Sequence, residues 1–268
     1  MGEDLTGLIA GASLLSRLVA EAVKETAERR ERVSLAALEE AAARYEPRGF
    51  SAAIRGRGLS VVAEVKQRTP SIGVLTDDYR PADLAAAYER GGAAAISVLT
   101  HRFGFGGSVE HLDAVRGATS LPVLRKDFIT DAYQVVEARA HGADAVLLIV
   151  AALQRRELEH LLGVARHHGL AALVEVHDDS EVRAAKLAGA TLIGVNHRDL
   201  RTFAVDLALT ERLRSWIPPD CALIAESGIK NGADARRMRE AGADAILVGE
   251  LLMRASDPAA LIRELREA

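Results

Sequence analysis

Six side chains able to move or hold a proton stand at or just beyond the ends of short apolar runs: Glu64, Lys66, Lys126, Glu175, Asn196 and Glu226. Parallel strands present their chemistry at their carboxyl ends, so residues scattered along the chain can converge on one mouth. Glu64 and Lys66 are two apart, which puts both on one side of a strand and Val65 on the other. Two charges buried together are costly unless they pair, and a strand end is where a site would hold such a pair. Lys126 closes the run Pro122-Val123-Leu124-Arg125-Lys126. Strand alternation lets either Arg125 or Lys126 face inward while the other pairs with a neighbouring helix. Lysine titrates more readily, so proton donation favours Lys126. Glu175 lies inside Leu173-Val174-Glu175-Val176-His177, where an unpaired carboxylate is expensive. Beside a lysine it can serve as acid or base.

A recurring phrase supplies the frame that positions these residues. Gly-Ala followed by an apolar run occurs at Gly92-Ala93, Gly142-Ala143, Gly189-Ala190 and Gly242-Ala243. Glycine permits the left-handed turn that ends a helix, and a continuous apolar run fits a strand covered on both faces. Further runs near Val61, Val123, Leu173 and Leu223 bring the count to eight strands with amphipathic stretches between them. Helix starts are expected at Pro81, at Ser108 as a cap before Val109, and at Asp257-Pro258. The fold class implied is α/β, a closed (βα)8 barrel of the phosphate-binding type. Residues 1–46 form an N-terminal helical extension on a single barrel domain spanning 1–268. The extension reads as helix from residue 5, with Leu14, Leu15, Leu18 and Val23 as its apolar positions and Ser34 capping a second segment. An open dinucleotide-binding sheet would show G-x-G-x-x-G after its first strand, and Gly104-Phe105-Gly106-Gly107 lacks both that place and that spacing.

Composition agrees with a single well-filled barrel. Of 268 residues 49% are apolar and only 4% aromatic, and the formal net charge is −4 with acids and bases interleaved. That pattern offers no basic footprint for nucleic acid or an anionic membrane. Cys221 is the only cysteine, so no internal disulfide forms and a reducing cytoplasm is expected. The first residues lack a signal peptide's basic start, and the apolar stretch from Ala145 to Leu153 is too short to span a bilayer. His160, His167 and His168 read as surface residues, and no metal spacing is present.

Gly228 after Glu226-Ser227, together with Gly249-Glu250 opening a short helix, would form the backbone phosphate cradle that barrels place after strands seven and eight. Taken in order, these motifs resemble indole-3-glycerol phosphate synthases. The carriers are Ala63-Glu64-Val65-Lys66 with Thr69-Pro70-Ser71, then Pro122 to Phe128, Leu173 to His177, Gly194-Val195-Asn196-His197-Arg198-Asp199-Leu200, Ala225 to Gly228, and Leu247-Val248-Gly249-Glu250. The resemblance implies closure of 1-(2-carboxyphenylamino)-1-deoxyribulose 5-phosphate to indole-3-glycerol phosphate with loss of carbon dioxide and water, for tryptophan or a specialised indole product. It implies a small anionic substrate, no metal or organic cofactor, and a monomer or weak homo-oligomer. Lys126 would be the acid at the carbonyl oxygen and Glu175 the proton-transfer group in dehydration. Lys66 would orient the substrate and can share the acid role. Glu64 and Glu226 would hold the lysines, with Asn196 and Ser227 hydrogen-bonding the substrate. Thr69, Arg198, Gly228, Gly249 and Glu250 would bind its anionic groups, and Pro70, Phe105, Phe128, Leu147 and Leu200 its anthranilate ring. The chain departs from its relatives at Gln67, Thr69 and Ile72, where a basic residue, serine and lysine are more frequent. It also has His101 where glutamate is common and His197 where a smaller residue is frequent.

Two other kinds of barrel remain open on sequence alone. A sugar-phosphate isomerase, or an aldolase using Lys126 as a Schiff-base nucleophile, is disfavoured by the Glu64/Lys66 pair and the extension. A silent scaffold on the same fold is disfavoured by the intact set of Lys66, Lys126, Glu175 and Glu226.

Overall fold

Gly92, Gly142, Gly189 and Gly242 take φ of 83°, 78°, 85° and 84°, and each turns a helix end into the next strand. The structure, a computed structural model, describes residues 13–56, 58–199 and 202–268. Its barrel strands are β1 (Ser60–Val65), β2 (Ala95–Leu99), β3 (Val123–Lys126), β4 (Ala145–Ile149), β5 (Ala171–Val176), β6 (Leu192–Asn196), β7 (Ala222–Glu226) and β8 (Ala245–Val248), and Arg68–Thr69 pairs with Gly73–Val74 in a separate small hairpin after β1. Every neighbouring pair of the barrel is parallel, and β1 pairs with both β2 and β8, so the sheet closes. Closure needs a covering helix on each crossover, and the eight apolar-stripe segments supply it.

Among the described residues, three helices precede the barrel: α1 (Leu14–Arg32), α2 (Leu35–Ala42) and α3 (Phe50–Ile54). The covering helices are α4 (Pro81–Arg90), α5 (Glu110–Ala118), α6 (Ala132–Ala140), α7 (Arg155–His167), α8 (Asp179–Leu187), α9 (Ala208–Leu213) and α10 (Gly232–Glu240). The short α11 (Glu250–Met253) and α12 (Pro258–Glu267) follow β8. Pro81 and Pro258 occupy first-turn positions and Ser34 caps α2, as the sequence requires. Ser108 does not cap α5. The cap position is Val109, and the Ser108 hydroxyl bonds the Glu110 carboxylate instead.

Alternate residues of each strand face inward. Val62, Leu124, Leu173, Leu192 and Ile224 meet inside the barrel and are closed from below by Phe50 and Ile54. Val61, Ala63, Val65, Ile96 and Val98 face the helices. Each fully buried Leu or Val contributes about 1.5–3 kcal/mol, which offsets the cost of a charged layer above the apolar one. Leu18 and Ala22 of α1 join the inner cluster, so this helix lies against the barrel mouth. Val23, expected among its apolar positions, is 52% exposed. The expected start of the helix near residue 5 lies outside the described residues. Among the described residues no helix is long and apolar enough to cross a membrane.

Candidate active site

Glu64 is the penultimate residue of β1, and Lys66 follows the strand directly, its Nζ donating to Glu64 Oε1 at 2.5 Å. From β3, Lys126 reaches across the mouth, 3.7 Å from Glu175 Oε2 on β5 and 3.5 Å from Glu226 Oε2 on β7. Asn196 ends β6 and pairs in register with Glu226. Adjacent Arg125 faces the other way. It is fully buried and donates to Glu137 on α6 at 2.9 Å and to Asp127 at 2.9 Å. The choice that alternation leaves open is therefore settled by the helix partner: Arg125 packs outward and Lys126 points into the site.

The charges tune one another. Burial opposes the Lys126 cation, but Glu226, Glu175 and Glu64 outweigh it and hold its pKa above the ordinary lysine value. Burial likewise opposes the Glu64 carboxylate, yet Lys66 and Lys126 keep its pKa below the usual range. Glu226 goes the other way. Burial pushes it up to about 8, with Glu175 and Glu64 adding to the rise and Lys126 only partly countering it. Neither Glu226 oxygen has a hydrogen-bond partner, and Oε1 lies against β6 where any side chain on Gly194 would collide. Glu226 therefore parts with its proton less readily than an ordinary glutamic acid.

These residues floor a cavity of about 540 Å³ that also takes in Thr69, Pro70, Phe105, Phe128, Leu147, Arg198, Ser227, Gly228, Gly249 and Glu250. One end is apolar and aromatic, with Phe105 and Phe128 at 6.2 Å between ring centroids. The other is built of loop backbone, where Ser227 (φ 69°) and Gly228 (φ 84°) both sit in the left-handed region. A side chain on Gly228 would strike Val205, so the glycine lets the segment at Val205 pack closely against this turn. Leu200, expected in the aromatic end, lies outside the described residues.

His197 supports that strained turn. Its Nδ1 is 2.8 Å from the Ser227 carbonyl and its Nε2 is 2.7 Å from the Thr210 hydroxyl. Burial lowers its pKa, so the neutral ring donates from Nδ1 to the carbonyl and accepts at Nε2. His101 is also fully buried, edge-on to Phe128 at 5.0 Å between centroids, and stands 3.5 Å from Asp127 and 3.9 Å from Glu25 of α1. Ile72 is 46% exposed at its loop tip and does not line the cavity. His160 and His167 are exposed and His168 half-buried.

Gly249 does more than open a helix. A Cβ there would meet Lys66 Nζ at 2.8 Å and collide with Glu64 Oε1, so a side chain at this position would have to push the ion pair aside. Gly249→Ala is expected to displace the pair and lower kcat/KM by about 10²-fold, the penalty of a misplacement near 1 Å. Steady-state kinetics beside a thermal melt checks this, and a variant within a few-fold of the parent would show that the pair tolerates the methyl group.

Sequence reasoning missed several lining residues. Leu14 and Leu18 are legible as an apolar helix face, but not as a cavity wall. Phe203 (φ 60°), Lys230 and Arg254 sit on loops or at a helix end and belong to no periodic pattern. Among the described residues no cluster of three His, Cys, Asp or Glu side chains is arranged to hold a metal.

A closed parallel barrel with lysines and carboxyl groups interleaved at its carboxyl mouth, over a half-apolar cavity, defines an acid–base (βα)8 enzyme. The chain belongs to the indole-3-glycerol phosphate synthase family, whose profile it matches over residues 15–265. It is 56% identical to "Indole-3-glycerol phosphate synthase 2" of Streptomyces coelicolor, over 95% of this chain and 99% of that one. With "Indole-3-glycerol phosphate synthase 1" of the same organism it shares 49%, over 94% of each. A 3-hexulose-6-phosphate synthase from Salmonella typhimurium superposes at a TM-score of 0.64, covering 78% of this chain and 97% of that chain. At 16% identity that likeness concerns the fold alone.

Proposed function

We propose that the protein closes 1-(2-carboxyphenylamino)-1-deoxyribulose 5-phosphate to indole-3-glycerol phosphate, releasing carbon dioxide and water, in tryptophan biosynthesis. The observation that carries the chemistry is Lys126 held charged between Glu175 and Glu226 at the floor of a cavity with one aromatic and one backbone-lined end. Ring closure adds an electron-rich aromatic carbon to a ketone, which needs a proton donor at the ketone oxygen. Lys126 serves there. Loss of the carboxylate restores aromaticity, and dehydration then needs a proton at the departing hydroxyl and a base for the neighbouring C–H. Glu175 moves the proton in that stage, working with a lysine.

Lys66, fixed by Glu64, orients the substrate carboxylate, and Glu226 fixes Lys126. Asn196 and Ser227 hydrogen-bond the sugar hydroxyls. The phosphate takes the backbone at Gly228, Gly249 and Glu250, with Arg198 and Thr69 near the anionic groups. The anthranilate ring lies among Pro70, Phe105, Phe128 and Leu147. The barrel and the helical segment that precedes it act as one domain, working in the cytoplasm as a monomer or weak homo-oligomer.

Purified protein given this substrate without metal is expected to form a product with indole fluorescence. Folded protein that binds the substrate and makes no such product would overturn the reading and leave a silent scaffold.

A further inference from the structure

The two oxygens of Glu175 face different surroundings. Oε2 looks toward Lys126 and the cavity, whereas Oε1 lies 3.4 Å from His177 Nε2, a buried atom that makes no hydrogen bond of its own. His177 Nδ1 in turn lies 3.2 Å from Glu181 Oε2, which also accepts the His177 backbone N–H at 2.7 Å. Local structure sets this up. Asp178 caps α8 by accepting the Glu181 backbone N–H, and the Glu181 carboxylate folds back over the cap onto His177. The side chains of His177 and Glu181 are each 17% exposed against 2% for Glu175, and neither lines the cavity. A file of three titratable groups therefore runs from the surface to the buried oxygen without crossing the substrate's space.

The proposed reaction needs such a path. The bond from ring carbon to carboxylate breaks, its electron pair returns to the ring system, and carbon dioxide leaves without a proton. The ketone oxygen takes up one proton on ring closure and another as it departs as water, while the adjacent carbon gives one back. Each turnover thus draws one net proton from solvent into a site whose acids are buried.

We propose that this proton enters through Glu181 and His177 to Glu175. As His177 Nε2–H passes to Glu175 Oε1, Nδ1 takes a proton that Glu181 collects from water, so the ring changes from one neutral tautomer to the other. A turn of the ring toward solvent, with loss of the Nδ1 proton to water and gain of one at Nε2, restores the first tautomer before the next cycle. The inference rests on the proposed reaction and on Glu175 as its proton-transfer group. Four carboxyl groups face the ring and favour its protonation, namely Glu175 from β5, Glu181 and Asp178 at the start of α8, and Glu226 from β7. Burial disfavours the cation, but the Glu181 hydrogen bond and these carboxylates outweigh it and hold the His177 pKa above its ordinary value, so the ring accepts a proton readily.

His177→Gln keeps a hydrogen-bonding side chain of similar reach and removes the titratable ring. Its kcat should fall about tenfold, less than the 10²–10⁴ typical of losing a general acid itself, with KM unchanged and partial rescue by added imidazole. Glu181→Gln leaves the ring in place and should show a weaker loss of the same kind, so it carries the test independently of how His177→Gln folds. Wild-type kcat and pH profile in both variants, beside an inactive Glu175→Gln, would overturn the relay and leave the role of Glu175 standing. A fall in kcat that neither imidazole nor buffer concentration alters would overturn it too, since a merely structural His177 behaves that way. Normal turnover by Glu175→Gln would instead sink the reading on which the relay rests.

Discussion

Lys126→Ala is expected to fold normally and to lose about 10²–10⁴-fold in kcat, the usual contribution of a positioned proton donor. Normal folding follows from where the side chain sits. Its tip lies in the charged layer at the mouth, and the inner apolar cluster below it is untouched. Truncation does leave Glu175 and Glu226 facing each other without their cation. Glu226, already pushed up to about 8, can answer by staying protonated further into the alkaline range, which removes the repulsion without unfolding the barrel. The kinetic signature also follows. A proton given to the ketone oxygen strengthens only as the carbon–carbon bond forms, so kcat and kcat/KM should drop together while KM changes little. Steady-state assays on protein with an unaltered melting profile check the result. Activity within about tenfold of the parent would remove Lys126 from the role of principal acid, because a group lost from that role costs at least about 10²-fold.

The residues that carry this chemistry are readable because each stands at or near the end of an apolar run, and such runs are what a strand covered on both faces must be. Glu64 with Lys66 is readable as a same-side pair from spacing alone. Arg125 and Lys126 are not separable that way, since a period of two offers either as the inward residue and both are cations. What decides between them is Glu137, twelve positions downstream on α6, beside Asp127 and Thr100. That is tertiary information, invisible to strand periodicity. The same limit hides His177, which lies one residue past β5, where alternation gives way to the Asp178 cap. It also hides Phe203 and the left-handed Ser227, since loop backbone has no period to read. The misplaced Ser108 cap is a narrower error: a capping residue two positions before the helix reads as the boundary, and its hydroxyl finds a carboxylate instead.

Arg125→Met should cost about 3–5 kcal/mol of stability, the penalty for removing one partner from a buried ion pair. Methionine fills much of the volume but meets none of the polar groups that Arg125 satisfies. Those are the Gln134 carbonyl at 2.8 Å, Glu137 at 2.9 Å, Asp127 at 2.9 Å and the Thr100 hydroxyl at 3.2 Å. Glu137 keeps Arg29 of α1 at 2.8 Å, so Asp127 is the group left most exposed to its burial. The pH dependence follows from its sign. Burial would raise the Asp127 pKa, but Arg125 and His101 outweigh it and hold it below 3.8, so in the parent protein this residue adds stability that is lost as pH falls through that lowered value. Without Arg125 the folded-state pKa moves above the unfolded one, and the variant then loses stability as pH rises through the carboxylate range. The difference between parent and variant should therefore be larger near pH 7 than near pH 4, as read from denaturant midpoints at the two values. A penalty independent of pH, or one below about 1 kcal/mol, would mean that Asp127 is not held by Arg125. Asp127 also accepts the Phe128 backbone N–H at 2.8 Å, and Phe128 walls the cavity. Whatever folded fraction survives should therefore show a raised KM for the aromatic substrate, whereas Lys126→Ala loses kcat on an intact barrel; two adjacent cations on one strand separate the site's frame from its chemistry.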